Sequence, residues 1–188
     1  HANTLLYDRT DPPGDEGLWV QLTGEAIAGP PADAGNQLEM LHVEVMSWGQ
    51  WTSLHPETDV VRGDPDYGAD RYKNNPYAPY YVKGDVTFPA APLAGEHADL
   101  QTMSAVLAMK SPAGWRIAPF ERILYSTGQQ QKWTGTVAGE TVELTFDTDA
   151  GTVWMSECPD WPTAYSRWFA WAAIHGDVPV IGGEPAKE

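Results

Sequence analysis

The stretch Leu38 to Trp51, LEMLHVEVMSWGQW, is the longest run in the chain that takes a single side-chain register. Side chains on a strand alternate between faces, so Leu41, Val43, Val45 and Ser47 point one way. Met40, His42, Glu44, Met46 and Trp48 point the other. The first set reads as ordinary core. The second mixes thioether, imidazole, carboxylate and indole, a set costly to bury and adhesive when exposed. The run predicts a central strand of a β-rich fold, with its mixed face one of two places to look for function.

The flanking punctuation supports that class. Gly17 to Ile27, GLWVQLTGEAI, alternates like a strand, and the Gly- and Pro-rich break before Leu38 suits a hairpin with a long loop. His1 to Tyr7 reads as a first strand and Tyr81 to Phe88 as another. Ala98 to Met109 fits a short helix or a strand. Trp115 to Ser126 divides into two strand-like pieces at Pro119. Trp133 to Val137, Thr141 to Phe146 and Thr152 to Ser156 predict an antiparallel meander. Thr163 to His175 predicts a helix, with Pro162 in its first turn and Gly176 at its end. The segment between Thr52 and Tyr80, rich in Asp, Pro and Tyr, is too long for an ordinary connection and reads as an ordered functional loop. The expected fold is mainly β: an antiparallel sandwich or barrel with one C-terminal helix, forming a single domain over residues 1–188. Residues 177–188 read as a loose tail.

Charge narrows the partners. With 11 Lys and Arg against 26 Asp and Glu, the net charge of -15 argues against nucleic acid and anionic membranes. No apolar run approaches the roughly 20 residues that span a bilayer. The single cysteine, Cys158, rules out an internal disulfide. Nine Trp and eight Tyr exceed what a core of this size needs, and such rings commonly serve flat ligands, sugar faces or subunit contacts. A Trp-rich core is the alternative. Trp48, Trp51, Tyr67 and Tyr72 are the ring residues expected to bind a small ligand or polysaccharide.

The second place to look is His1. Its amine and ring nitrogen, with a second imidazole, form a three-nitrogen clamp suited to copper. His42, His55 and His97 are the candidate second ligands. His42 is favoured by Met40 and Met46 on its face, although residues two apart on a strand lie about 6.6 Å apart and need a partner strand to converge. A chain that begins with His, has this length and is aromatic and β-rich resembles the lytic polysaccharide monooxygenases and copper-carrier β-sandwiches. That resemblance implies an extracellular or periplasmic protein if His1 is a true mature terminus; a tag remnant is the alternative.

Three further patterns carry expectations. Asp64, Asp66 and Asp70 alternate in a tight loop, as in calcium cages, although Ala69 and Asn75 depart from the EF-hand pattern. Glu44, with Glu121 or Glu143, supplies acids of the type glycoside cleavage needs, and EVMSW resembles nucleophile strands of some jelly-roll glucanases. No GxSxG motif occurs. Finally, LWVQLTG followed by LEMLHVEVMSWG resembles the opening strands of secretion-system and phage tail tube proteins. That resemblance implies a homo-oligomeric assembly protein using its sticky strand face for subunit contacts.

Overall fold

The computed structural model describes residues 3–10, 13–61, 63, 73, 75–88, 97, 99–126, 132–147, 150–157 and 160–182. In chain order the elements are β1 (Leu5–Tyr7), β2 (Leu18–Val20), β3 (Ala26–Ala28), α1 (Pro30–Asp33), α2 (Trp48–Leu54) and α3 (Ala78–Lys83). There follow β4 (Ala105–Ser111), β5 (Gly114–Pro119), α4 (Phe120–Ser126), β6 (Lys132–Val137), β7 (Glu140–Asp147), β8 (Thr152–Glu157), β9 (Thr163–Arg167) and α5 (Trp168–His175). The protein is mainly β, with these nine described strands in three antiparallel sheets ordered β1-β2-β3, β5-β4-β9 and β6-β7-β8. No closed barrel forms among the described residues.

The structural centre is β4. Its apolar run AVLAM does not alternate because both faces are covered, the pattern of a strand buried on two sides. Leu107 and Met109 face one way, into a cluster with Val142, Leu144, Val153 and Met155 of the meander and Ile123 of α4. Val106 and Ala108 face the other way, onto Ile117, Trp168, Trp171 and Leu100. Leu107, Val106 and Trp171 are wholly buried. Each fully buried aliphatic side chain stabilises the fold by about 1.5–3 kcal/mol. The β4–β5 hairpin closes tightly: the Ser111 hydroxyl donates to the Gly114 carbonyl at 2.8 Å and accepts from the Ala113 N–H at 3.2 Å.

Four segments differ from their sequence pattern. In the segment from Trp115 to Ser126, the first piece is a strand and the second is helix α4, whose Phe120 and Ile123 turn onto the first cluster at helical spacing. The expected helix from Thr163 is a strand as far as Arg167, because this segment completes the free edge of β4 with Leu107 opposite Tyr165. Helix α5 then starts at Trp168. The expected strand at Tyr81 to Phe88 is instead the end of helix α3 and a turn. Asp177 to Ile181, expected to be loose, is tied to β5: Ile117 N–H donates to the Pro179 carbonyl and Ile181 N–H to the Ile117 carbonyl. Residues 183–188 lie outside the described residues.

The largest correction concerns Leu38 to Trp51. The alternation holds, but the segment forms no ladder and its faces are reversed. Leu41, Val43 and Val45 are exposed, whereas Met40, His42, Glu44 and Met46 are half-buried. Residues 38–47 form a strap tied by hydrogen bonds to the start of β9. Thr163 N–H donates to the Leu41 carbonyl, and the Thr163 hydroxyl accepts from Val43 N–H at 2.8 Å and donates to the Val43 carbonyl at 2.5 Å. Farther on, Ser47 N–H donates to Asp147 at 2.8 Å, and Ser47 caps α2 by accepting from the Gln50 N–H. No helix among the described residues is long and apolar enough to cross a membrane.

Candidate functional site

The site is built at the junction of β9 and α5. Arg167 ends the strand in an extended conformation, and the next two residues begin the helix. Trp168 N–H donates to the Ser104 carbonyl at 2.8 Å and Phe169 N–H to the Thr102 carbonyl at 3.1 Å. Two N–H groups that a helix start leaves without partners are thereby satisfied, and Arg167 and Phe169 are fixed side by side.

Helix α3 supplies the opposite wall. Its short sequence APYYVK carries Pro79 near the start, and Gly84 follows in the left-handed region at φ 67°, where its N–H donates to the Tyr80 carbonyl at 2.9 Å. The rings run in a chain. Tyr77 lies 6.1 Å from Tyr80, Tyr80 lies 6.2 Å edge-on to Phe88, and Phe88 lies 5.6 Å edge-on to Phe169. These separations suit favourable aromatic pairs. Together with Tyr81, Met103 and Arg167 the rings enclose a cleft of 530 Å³. Ligand pockets typically measure about 300–1,000 Å³. Tyr77, Tyr81 and Phe88 are exposed, so their rings are presented to solvent rather than buried as core.

Arg167 sits where this cleft meets a second. Its guanidinium lies 4.9 Å over the Tyr81 ring, and one N–H donates to the Met103 carbonyl at 3.2 Å. No carboxylate pairs with it among the described residues. The second cleft, of 520 Å³, runs along β9 past Tyr165 and Thr163 to Met40 and Val43 of the strap, sharing Asn3, Thr4, Arg167 and Phe169 with the first. Asn3 is held by donating to the Ala170 carbonyl at 2.8 Å. Tyr165 stays a neutral phenol there, because burial pushes its pKa up, and it donates to the Val153 carbonyl. None of the described residues lining the two clefts is Asp or Glu.

The structure distributes the expected site residues widely. Trp48 and Trp51 lie on α2 and line another depression with Glu44, Met46 and Val45, the last of which also lines the second cleft. Trp51 donates to Thr58 at 2.8 Å, and its ring lies 4.1 Å from that of His55 at a tilt of 35°. His42 meets the Trp161 carbonyl through Nδ1 at 3.1 Å and Glu44 through Nε2 at 3.3 Å. His97 contacts the Val178 carbonyl at 3.2 Å and the edge of Trp168, so the two imidazoles have no common partner. Glu121 accepts from Ser104, while Glu143 accepts from Lys132 and Ser156 on the meander, on elements separate from Glu44. His1, Asp64, Asp66, Asp70, Tyr67 and Tyr72 lie outside the described residues. Among the described residues no group of three or more His, Cys, Asp or Glu side chains is placed to hold a metal ion.

None of the rings expected to bind, Trp48, Trp51, Tyr67 and Tyr72, is among the described residues lining this cleft. Tyr77, Tyr80 and Tyr81 belong to the Tyr-rich stretch, and a Pro near the start with Gly84 past the end is a short-helix signature. Phe88, Arg167 and Phe169 carry no local signal of a site. No curated protein matches the chain, and no solved structure does. One family does match, over residues 1–163, and it is described as a protein of unknown function, DUF3179.

Proposed function

We propose that this chain, which belongs to the DUF3179 family, is a binding domain that receives a ring-bearing ligand, such as a saccharide, in the cleft between α3 and the β9–α5 junction. The observation that carries this reading is the convergence of Tyr77, Tyr80, Tyr81, Phe88 and Phe169 on one open cleft. Tyr77 and Tyr81 stay more than half exposed, which leaves ring surface for a flat partner. The described lining offers rings and the Arg167 guanidinium, groups suited to recognition. The second cleft lengthens the site along β9, which suits a ligand longer than one ring.

Titrating short oligosaccharides while following backbone amide shifts tests this. Shifts should concentrate at Tyr77 to Phe88 and at Arg167 to Phe169, and Tyr77→Ala should weaken binding roughly 3- to 10-fold. Shifts confined to Trp48 and Trp51 on α2 would move the site to the other depression and end this reading.

A second reading has its own observation. Leu41, Val43 and Val45 present an exposed aliphatic row on the strap, 68% exposed at Leu41. Such a row fits a contact between copies of this chain.

A further inference from the structure

The unusual feature of the aromatic cleft is its charge. The chain carries 26 acidic residues, yet no Asp or Glu is found among the described residues lining either cleft. One cation, Arg167, stands where the two clefts join. Its guanidinium is already positioned, lying over the Tyr81 ring and anchored to the Met103 carbonyl, and no carboxylate neutralises it among the described residues. A guanidinium with one N–H anchored keeps others in fixed geometry for a planar anion. Elsewhere the described arginine Arg122 is bound by both oxygens of Asp99. Arg167 is held in the same molecule without that partner.

We infer that Arg167 is the anion-binding group of the cleft and that the ligand bears a carboxylate on a ring, either the uronate of an acidic saccharide or a free aromatic acid. The inference rests on the cleft being the binding site. The rings take the flat body of the ligand, and the carboxylate takes the place at Arg167 that an internal Asp or Glu would otherwise fill. The surrounding negative charge opposes an anion's approach from bulk. Recognition therefore depends on short-range hydrogen bonds at Arg167 and not on long-range attraction.

The test compares charged and neutral forms of the same probe: trigalacturonate with its methyl ester, and benzoate with benzamide. Affinities are measured by calorimetry on the unaltered protein, Arg167→Gln and Tyr77→Ala. The acid form of at least one pair should bind the unaltered protein about 10-fold or more tightly than its neutral counterpart. Arg167→Gln should abolish that difference, whereas Tyr77→Ala should weaken both forms and preserve it. A preference shown by trigalacturonate identifies a saccharide acid, and one confined to benzoate an aromatic acid. Equal binding of acid and ester, with Tyr77→Ala still weakening both, overturns the role of Arg167 and leaves the cleft in place. Absence of binding by every probe overturns both. The acid-to-ester comparison needs no variant, so misfolding of Arg167→Gln cannot obscure the result.

Discussion

Asp8 shows how much a single side chain settles at the N-terminal end. Its carboxylate accepts from the Gly17 N–H and from the Trp19 indole, closing the loop between β1 and β2. Those two bonds hold its pKa below the ordinary value of 3.8. Asp99 is also lowered: burial pushes it up, but the hydrogen bonds and charge of Arg122 outweigh that. Glu143 is lowered by Lys132 and Ser156. A carboxyl whose native pKa is depressed binds protons less readily folded than unfolded. Its contribution is therefore complete above the ordinary values of 3.8 for Asp and 4.5 for Glu, and is lost as pH falls through the depressed native values. Urea midpoints should accordingly be insensitive to these three groups between about pH 5 and 7 and fall below about pH 4. Asp8→Asn, which keeps an acceptor oxygen but no charge, should lower the midpoint at pH 7 and flatten the acid decline. An unchanged decline would assign it to other carboxylates.

At the level of elements, Thr163 joins the strap to the sheet by bonding both backbone groups of Val43. Thr163→Val keeps the shape and removes both bonds, leaving backbone groups of Val43 without that partner. We expect a loss of about 1–2 kcal/mol. Exchange of the Val43 amide should accelerate at least several-fold while the β4 amides stay protected; equal acceleration in both would show that the strap is not a separable unit. The strap also marks where the sequence could and could not be read. Its alternation is real, but a period of two does not say which face is covered, and here the apolar one is not. The meander was legible because Ala138 and Gly139, both at positive φ, suit a tight hairpin turn. Strand β4 was ambiguous because burial on both faces erases alternation. The boundary at Arg167 was hidden because pairing with β4 overrides the helical spacing of the residues beyond it. Of the candidate site, Tyr77, Tyr80 and Tyr81 belong to the Tyr-rich stretch, but the rings singled out from sequence were Trp48, Trp51, Tyr67 and Tyr72. Arg167 and Phe169 reach it through long-range pairing, which no local pattern encodes.

For the molecule as a whole, the charge of -15 and the exposed row of Leu41, Val43 and Val45 act against each other. Repulsion between copies is strong at low ionic strength and screened at high, where the Debye length falls to about 3 Å at 1 M salt. If the strap is a contact between copies, light scattering should show a monomer in dilute buffer and a larger species in molar salt. Val43→Glu should keep it monomeric in both. A monomer throughout would set the assembly reading aside. The position of β4 has a consequence of another kind, in the order of events during folding. Its partner β5 is next in the chain, but β9 and the indoles of Trp168 and Trp171 come near the end. Loop closure of that length is slow, and contacts so distant form late. A chain growing from its N-terminus holds β4 with one edge open and one face uncovered until those residues arrive. The same late step that seals the core also sets Arg167 at the cleft, so on the binding reading proposed above the site and the core are completed together.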